Sequence, residues 1–242
     1  MAKIPHNLQQ CFIFAAGRGE RMKPLTDSIP KPLVKIHHQP ILQHILDKIL
    51  PITSLNKIII NAFYLAEQIE EFTNQINDSR LIVSRETFKI ETGGGLLYAA
   101  DLIDFNQPLL VINGDILWQQ NKLNDIEQLW QRWQKNDCNI LLGLKKKDEL
   151  IGYEGKGDFD YNPQDNSLNS KNSNRNYAYV GVQIINPQIL NNSPIIPFSI
   201  NHFYKSSTDE NGLLSQIKGI ELDGKFFHIG TTTMVDQLNN NS

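Results

Sequence analysis

Residues Cys11–Ile36 read CFIFAAGRGERMKPLTDSIPKPLVKI, and the reading of this stretch decides the fold. Its opening, Cys11 to Ala15, is an apolar strand that breaks at once into Ala16-Gly17-Arg18-Gly19. A turn built on two glycines leaves backbone N–H groups open to a phosphate that bulkier side chains would block. Arg18, Arg21, Lys23, Lys31 and Lys35 stand against Glu20 and Asp27, so the segment is basic within a chain of net charge −3. A basic, glycine-bearing turn after the first strand of an α/β protein is a place where polyanions are held. The stretch predicts a nucleotide or phosphosugar site.

Outward from it, strand-like and helix-like patterns alternate. Gln39-Pro40 opens a predicted helix carrying Ile41, Leu42, Ile45, Leu46, Ile49 and Leu50 at helical spacing, and Lys57–Ala62 (KIIINA) reads as a buried strand. Leu65, Ile69, Phe72 and Ile76 mark a second helix face, and Leu81-Ile82-Val83 a short strand. Gly93-Gly94-Gly95 leads into a helix reaching Ile103, and Pro108–Ile112 makes the next strand. Leu123, Ile126, Leu129, Trp130 and Trp133 define another helix, followed by a strand over Ile140–Leu144. This alternation predicts a mostly parallel sheet covered on both faces, whose ligands bind beyond the carboxyl ends of the strands. Further on, Tyr177–Ile185 and Phe226–Ile229 read as strands and Thr231–Leu238 as a closing helix. Asn162–Asn176, rich in Asn and Ser, reads as an exposed loop or hairpin end without chemistry of its own, and 238–242 as a frayed tail.

A chain of 242 residues with 40% hydrophobic and 20% charged residues fits one globular domain over 1–242. No apolar run is long enough for a membrane span, and Met1–Gln10 lacks a signal-peptide core, so a cytoplasmic protein is expected. Cys11 and Cys138 share no metal-ligand spacing and are read as buried free thiols. The mild negative charge gives no reason to expect nucleic acid or a membrane as partner.

Spacing narrows the phosphate site. Gly17 and Gly19 supply no Walker frame, and a dinucleotide fingerprint would need a third glycine where Met22 stands. Instead Ala15-Ala16-Gly17-Arg18-Gly19-Glu20-Arg21-Met22-Lys23-Pro24-Leu25-Thr26, followed by Pro30-Lys31-Pro32-Leu33, resembles the signature of the sugar-1-phosphate nucleotidyltransferases, also called nucleoside-diphosphosugar pyrophosphorylases. The resemblance implies their α/β, three-layer Rossmann-like (GT-A-like) fold. Glu91-Thr92-Gly93-Gly94-Gly95 and Lys156-Gly157-Asp158-Phe159 resemble the N-acetylmuramate-1-phosphate uridylyltransferase branch, and the resemblance extends over nearly the whole chain.

The resemblance also implies roles for individual residues. By it, Arg21, Lys31 and Asp115 are catalytic. Ala15, Ala16, Gly17, Arg18, Gly19, Thr92 and Gly93 bind the nucleotide; Glu91, Gly94, Asn113, Gly157, Tyr179 and Gly181 bind the sugar. Asn113-Gly114-Asp115 follows a strand, where a carboxylate suits Mg²⁺, although the same residues make an ordinary turn. The three glycines are expected to let backbone approach the base closely, against the competing reading of a flexible loop before a helix. The family pattern places a second aspartate before the final Gly-Thr, and Phe226-Phe227-His228-Ile229-Gly230-Thr231 has His228 there. An imidazole suits Mn²⁺, Co²⁺ or Zn²⁺ better than Mg²⁺, while strand alternation puts His228 on the face of Phe226, as for a core histidine.

The implied reaction transfers a nucleotidyl group from a nucleoside triphosphate, UTP by the uridylyltransferase resemblance, to a sugar-1-phosphate such as N-acetylmuramate-1-phosphate. Pyrophosphate leaves and an NDP-sugar forms, as in cell-wall precursor recycling. Guanylyl or cytidylyl transfer, for example to mannose-1-phosphate, and a nucleotide-binding homologue with impaired catalysis are the alternatives. A monomer or weak homodimer is expected.

Overall fold

The computed structural model describes residues 7–120, 124–171 and 175–240. Leu123, and the parts of the Met1–Gln10, 162–176 and 238–242 stretches beyond those ranges, lie outside the described residues. In chain order the strands are β1 (Gln10–Phe14), β2 (Lys35–Ile36), β3 (Gln39–Pro40), β4 (Lys57–Ala62), β5 (Leu81–Arg85), β6 (Leu109–Asn113) and β7 (Ile116–Gln119). They continue as β8 (Ile140–Lys146), β9 (Asp160–Asn162), β10 (Ser167–Asn169), β11 (Tyr177–Ile185), β12 (Ile217–Glu221) and β13 (Lys225–His228). The helices are α1 (Ile41–Ile49), α2 (Ala66–Ile76), α3 (Glu91–Tyr98), α4 (Asp125–Trp133), α5 (Asn201–Ser206) and α6 (Thr232–Asn240).

The central sheet runs β12-β8-β11-β6-β1-β4-β5. β1 pairs in parallel with β4 and β6, β4 with β5 and β12 with β8, while β11 is antiparallel to both β6 and β8. The apolar runs in β1, β4 and β6 exist because both faces are covered. Alternate residues divide between two cores: Cys11 and Ile13 pack with α1 on one face, Phe12 with Leu96, Phe198 and Phe203 on the other. α1 buries Ile41, Leu42, Ile45, Leu46 and Ile49 completely, as its spacing predicts. The expected α/β architecture with a mostly parallel sheet is observed.

Several boundaries differ from the sequence reading. α3 begins at Glu91 and ends at Tyr98, with a separate 3₁₀ turn over Ala100–Leu102, so the three glycines lie inside the helix. Leu65 sits before α2 with φ 53° rather than on its face. The Asn- and Ser-rich stretch carries the β9–β10 hairpin, and Leu168 at its centre is fully buried in the second core. A polar composition hid one structural anchor. Residues 238–240 belong to α6, where Leu238 packs on the core and the Asn239 side chain accepts from His37 N–H at 2.7 Å and donates to the Lys35 carbonyl at 3.3 Å.

Candidate active site

Parallel pairing brings the carboxyl ends of β1, β4 and β6 to one edge. Phe14 lies opposite Asn61 on one side and Asn113 on the other. The chain past β6 then leans against β1: Gly114 N–H donates to the Phe14 carbonyl at 2.8 Å, and a Cβ on Gly114 would lie 2.2 Å from that oxygen. Only glycine fits there, which sets Asp115 beside the glycine turn.

The turn is held from within. Gly19 takes φ 70°, and its carbonyl accepts from Met22 N–H and Thr26 Oγ1, both at 2.8 Å. Thr26 and the Lys31 stem crowd Gly19 so closely that a side chain would collide with them. Gly17 faces open space, as a phosphate-binding position requires. Arg18 pairs with Glu20 at 3.2 Å and lies 5.0 Å from the Tyr64 ring centre.

Lys31 Nζ donates to Asp115 Oδ2 at 2.6 Å. His228 Nε2 stands 3.5 Å from the same oxygen. Burial by itself would raise the Asp115 pKa, but the charges and hydrogen bonds of Lys31 and His228 outweigh it and hold the carboxyl well below the usual range. His228 arrives on the β7–β13 ribbon, where it lies opposite Ile116 and where Ile229 N–H donates to the Asp115 carbonyl at 2.8 Å. The ribbon, separate from the main sheet, turns Phe226 fully inside and leaves His228 partly exposed at the site. His228 Nδ1 lies 3.4 Å from the Gly152 carbonyl, so each ring nitrogen faces an oxygen. Arg21 joins them: a Cβ at Gly230 would lie 3.0 Å from His228 Cε1 and 3.1 Å from Arg21 Nη2.

Two adjoining cavities meet at this edge. One of about 220 Å³ is lined by Phe14, Gly17, Gly19, Lys31, Thr92, Asn113 and Asp115. The other, about 440 Å³, extends between Ala16–Glu20 and Lys89–Thr92 to Asn61, Phe63 and Glu86. Phe14, Gly17, Gly19 and Thr92 line both. The shared wall makes one trough, with Lys31 and Asp115 at one end and Asn61 and Glu86 at the other.

Asn61 and Glu86 were missed in the sequence. Asn61 Oδ1 accepts from Ala15 N–H at 2.7 Å, and its Nδ2 donates to Glu86 Oε1 at 2.6 Å. Burial pushes the Glu86 carboxyl up to about 7, with the Asn61 hydrogen bond opposing it. A polar residue ending the apolar run KIIINA was the available signal for Asn61.

Some expected contacts are spent elsewhere. The buried Ala15 amide is committed to Asn61 and is not free for phosphate. Gly93 lies under Phe198, whose ring would be 2.3 Å from an added Cβ, and the Gly94 amide donates to the Phe198 carbonyl at 2.9 Å beneath Ile196. The missing side chains of these glycines admit the 196–200 segment. Thr92 Oγ1 accepts from Ile200 N–H at 2.9 Å while the residue still lines the trough. Glu91 is exposed at the trough with φ 60°. Gly181, at φ 88°, abuts Asn113, whereas Gly157, at φ 91°, packs on the Arg175 carbonyl away from both cavities. Tyr179 is partly buried, and its hydroxyl is sealed from solvent with no hydrogen-bond partner among the described residues.

Residues 10–155 match the sequence profile of the family described as Nucleotidyl transferase. The chain belongs to that family. A curated relative, the N-acetylmuramate alpha-1-phosphate uridylyltransferase of Caulobacter vibrioides, is 27% identical over 226 residues, covering 90% of each chain. The mannose-1-phosphate guanylyltransferase catalytic subunit beta of Drosophila pseudoobscura pseudoobscura is 26% identical over 233 residues, 93% of this chain and 60% of that one. Among solved structures, HddC from Yersinia pseudotuberculosis complexed with GMP-PN superposes with a TM-score of 0.72 at 20% identity, covering 96% of this chain and 99% of that one. At that identity the likeness establishes the shared nucleotidyltransferase fold. No helix among the described residues is long and apolar enough to cross a membrane.

Proposed function

We propose that this nucleotidyltransferase transfers a uridylyl group from UTP to N-acetylmuramate-1-phosphate, with release of pyrophosphate. The observation that carries the transfer chemistry is the trough itself, at one end of which Lys31, Asp115 and the open Gly17 turn converge, with His228 beside Asp115 and Arg21 beside His228. The Caulobacter vibrioides relative and its even coverage of this chain support the uridylyl and muramate assignment.

The attacking group, a sugar phosphate oxygen, is already anionic near neutral pH, because the second phosphate pKa is about 6. No general base is required. The barrier lies in bringing two polyanions into line, so rate comes from positioning and charge neutralisation. Lys31 meets the phosphate under attack, Arg21 the α-phosphate and the departing pyrophosphate, and the Gly17–Gly19 turn the triphosphate. The long end of the trough, closed by Asn61 and Glu86, takes the nucleoside.

The family's divalent ion fits the residues present in a limited way. Among the described residues no three His, Cys, Asp or Glu gather as a metal cage. Asp115 and His228, 3.5 Å apart, are the residues that would hold such an ion beside the substrate phosphates. Such an ion neutralises phosphate charge when bound. The imidazole nitrogen favours Mn²⁺ over Mg²⁺.

Pyrophosphate release with UTP and N-acetylmuramate-1-phosphate tests this reading, with GTP, CTP and mannose-1-phosphate as controls in Mg²⁺ and in Mn²⁺. Turnover above the controls is expected. A second reading, guanylyl transfer, draws on the mannose-1-phosphate guanylyltransferase relative, and faster turnover with GTP would replace the first. Nucleotide binding without turnover for any pair would make the chain a binder whose catalysis His228 has impaired.

A further inference from the structure

The short strand β7 touches two places at once. Its first residue, Ile116, follows Asp115 directly and lies opposite His228 across the β7–β13 ribbon. All of its residues, Ile116 to Gln119, also line a second cavity of about 160 Å³, which shares no wall residue with the trough. One strand therefore joins the reaction centre to a separate hollow.

The walls of that hollow are basic. α1 contributes His44 and Lys48, the turn between β2 and β3 contributes His37, and Phe227 and Leu238 supply apolar contact. No acidic residue lines it, whereas both parts of the trough carry carboxylates. The adjacent Asp47 is engaged by the side-chain amides of Gln39 and Gln43, at 2.6 and 2.8 Å. His44 Nε2 lies 2.9 Å from the Ile36 carbonyl, which can only accept, so the ring is held in place by donating to it.

β7 adds unspent donors. Trp118 is 4% exposed and stacks on Phe226, yet its indole N–H is buried with no hydrogen-bond partner among the described residues. A buried donor left unpaired is costly, and a ligand acceptor would relieve it. The backbone supplies more. His228 N–H donates to the Ile151 carbonyl at 2.8 Å and Ile151 N–H to the Phe226 carbonyl at 3.1 Å, so β13 directs these groups away from β7. Across an antiparallel pair the facing residues, Ile116 and Trp118, direct theirs away from β13 in turn, to an edge with which no other described strand pairs. Ammonium, imidazole, indole and backbone donors without a carboxylate suit an oxyanion with several acceptor oxygens. The hollow is smaller than either part of the trough, which favours a small ligand over a nucleotide.

We propose that this cavity binds a small phosphate-bearing anion and that its occupancy alters turnover through β7. The binding stands on the cavity's own residues; the effect on turnover rests on the reading of the chain as a sugar-1-phosphate nucleotidyltransferase. A ligand that favours one position of β7 biases Asp115 and His228 by its difference in affinity for the two positions.

Inorganic phosphate is the probe. The chain has 3 tryptophans, so indole N–H signals in the NMR spectrum of the labelled full chain are few, and Trp118→Phe, which keeps a ring against Phe226, assigns the relevant one. That signal should move saturably with phosphate. Lys48→Ala should weaken the binding about tenfold, the size of one charge-assisted contact, while Lys31→Ala, in the trough, should leave it within about twofold. Alanine is a stronger helix former than lysine, so α1 is kept. NDP-sugar formation at saturating UTP and N-acetylmuramate-1-phosphate should show kcat changing with the same phosphate midpoint. Lys48→Ala should lose that response and keep its phosphate-free rate within about twofold. Phosphate that acts only in the trough would raise KM, leave kcat unchanged and affect wild type and Lys48→Ala alike. That result, or a Trp118 signal that does not respond, would overturn the inference. If no triphosphate turns over, UTP affinity reads the coupling: a phosphate response that Lys48→Ala weakens would sustain the inference while removing the transferase reading, and equal responses in both proteins would overturn it.

Discussion

Lys31 Nζ and Asp115 Oδ2 meet at 2.6 Å across 84 positions of sequence, tying the segment after the glycine turn to the end of β6. The Lys31 side chain is 13% exposed and that of Asp115 24%, so each charge depends on the other more than on water. The pair is a structural clasp at the edge where β1 and β6 end, and in the proposed function it would loosen for either group to engage phosphate or a metal ion.

Asp115→Ala should abolish metal-dependent turnover, and it strands the Lys31 ammonium in a partly buried place. Thermal or urea unfolding should show a loss of about 1–3 kcal/mol, less than a fully buried broken pair because both groups reach solvent. Lys31→Ala should lower kcat by roughly 10²–10³. Full activity in the Asp115 variant would remove that residue from the site.

His228→Asp tests the nitrogen at the metal position. An added carboxylate beside Asp115 should raise Mg²⁺-supported activity and reduce the ratio of Mn²⁺ to Mg²⁺ activity, since Mg²⁺ prefers oxygen. An unchanged ratio, measured with both ions at saturation, would assign His228 to holding Asp115 and not to metal.

The parts of the site that depend on strand ends were legible in the sequence. An apolar run followed by Gly17-Arg18-Gly19 and another followed by Asn113-Gly114-Asp115 point to one edge as soon as the sheet is taken as parallel, and β1 and β6 do pair that way. What was not legible depends on long-range packing. The hydrogen bond from Ala15 to Asn61 spans 46 positions and follows from the β1–β4 register, not from any local motif. Gly93 and Gly94 read as bare backbone offered to a ligand, yet their missing side chains are needed by Phe198 and Ile196, far along the chain. The family pattern sets His228 at the second metal position while strand alternation alone sets it on the face of Phe226, and the antiparallel β7–β13 ribbon brings it 3.5 Å from Asp115. Likewise the only apolar residue of the Asn- and Ser-rich stretch, Leu168, anchors the hairpin, so Leu168→Ala should cost about 2–4 kcal/mol while nucleotide affinity measured by calorimetry stays unchanged.

Gly93→Ala separates packing from ligand contact. The new methyl would overlap the Phe198 ring, and overpacking of this kind costs about 1–3 kcal/mol. Pairing it with Phe198→Ala should recover part of the lost stability in a double-mutant cycle. If Gly93→Ala instead leaves the melting temperature unchanged and weakens nucleotide binding alone, the glycine contacts ligand after all.

Glu86 gives the fold a pH dependence of known sign. Its folded pKa is raised by burial from an ordinary 4.5 to about 7, so between those values the native state holds a proton that the unfolded chain has released. Stability should therefore fall as pH rises through that window and level off above it, by an amount on the order of 3 kcal/mol. The side-chain amide of a Glu86→Gln variant keeps an oxygen to accept the Asn61 Nδ2 hydrogen bond and carries no charge, so the variant should match the wild type at pH 5 and exceed it at pH 8. Urea midpoints at the two pH values measure the difference. Because Glu86 closes the long end of the trough, which the proposed function gives to the nucleoside, nucleotide affinity should also change over the same window in the wild type and stay level in Glu86→Gln. Parallel pH profiles for the two proteins would place the titrating group elsewhere.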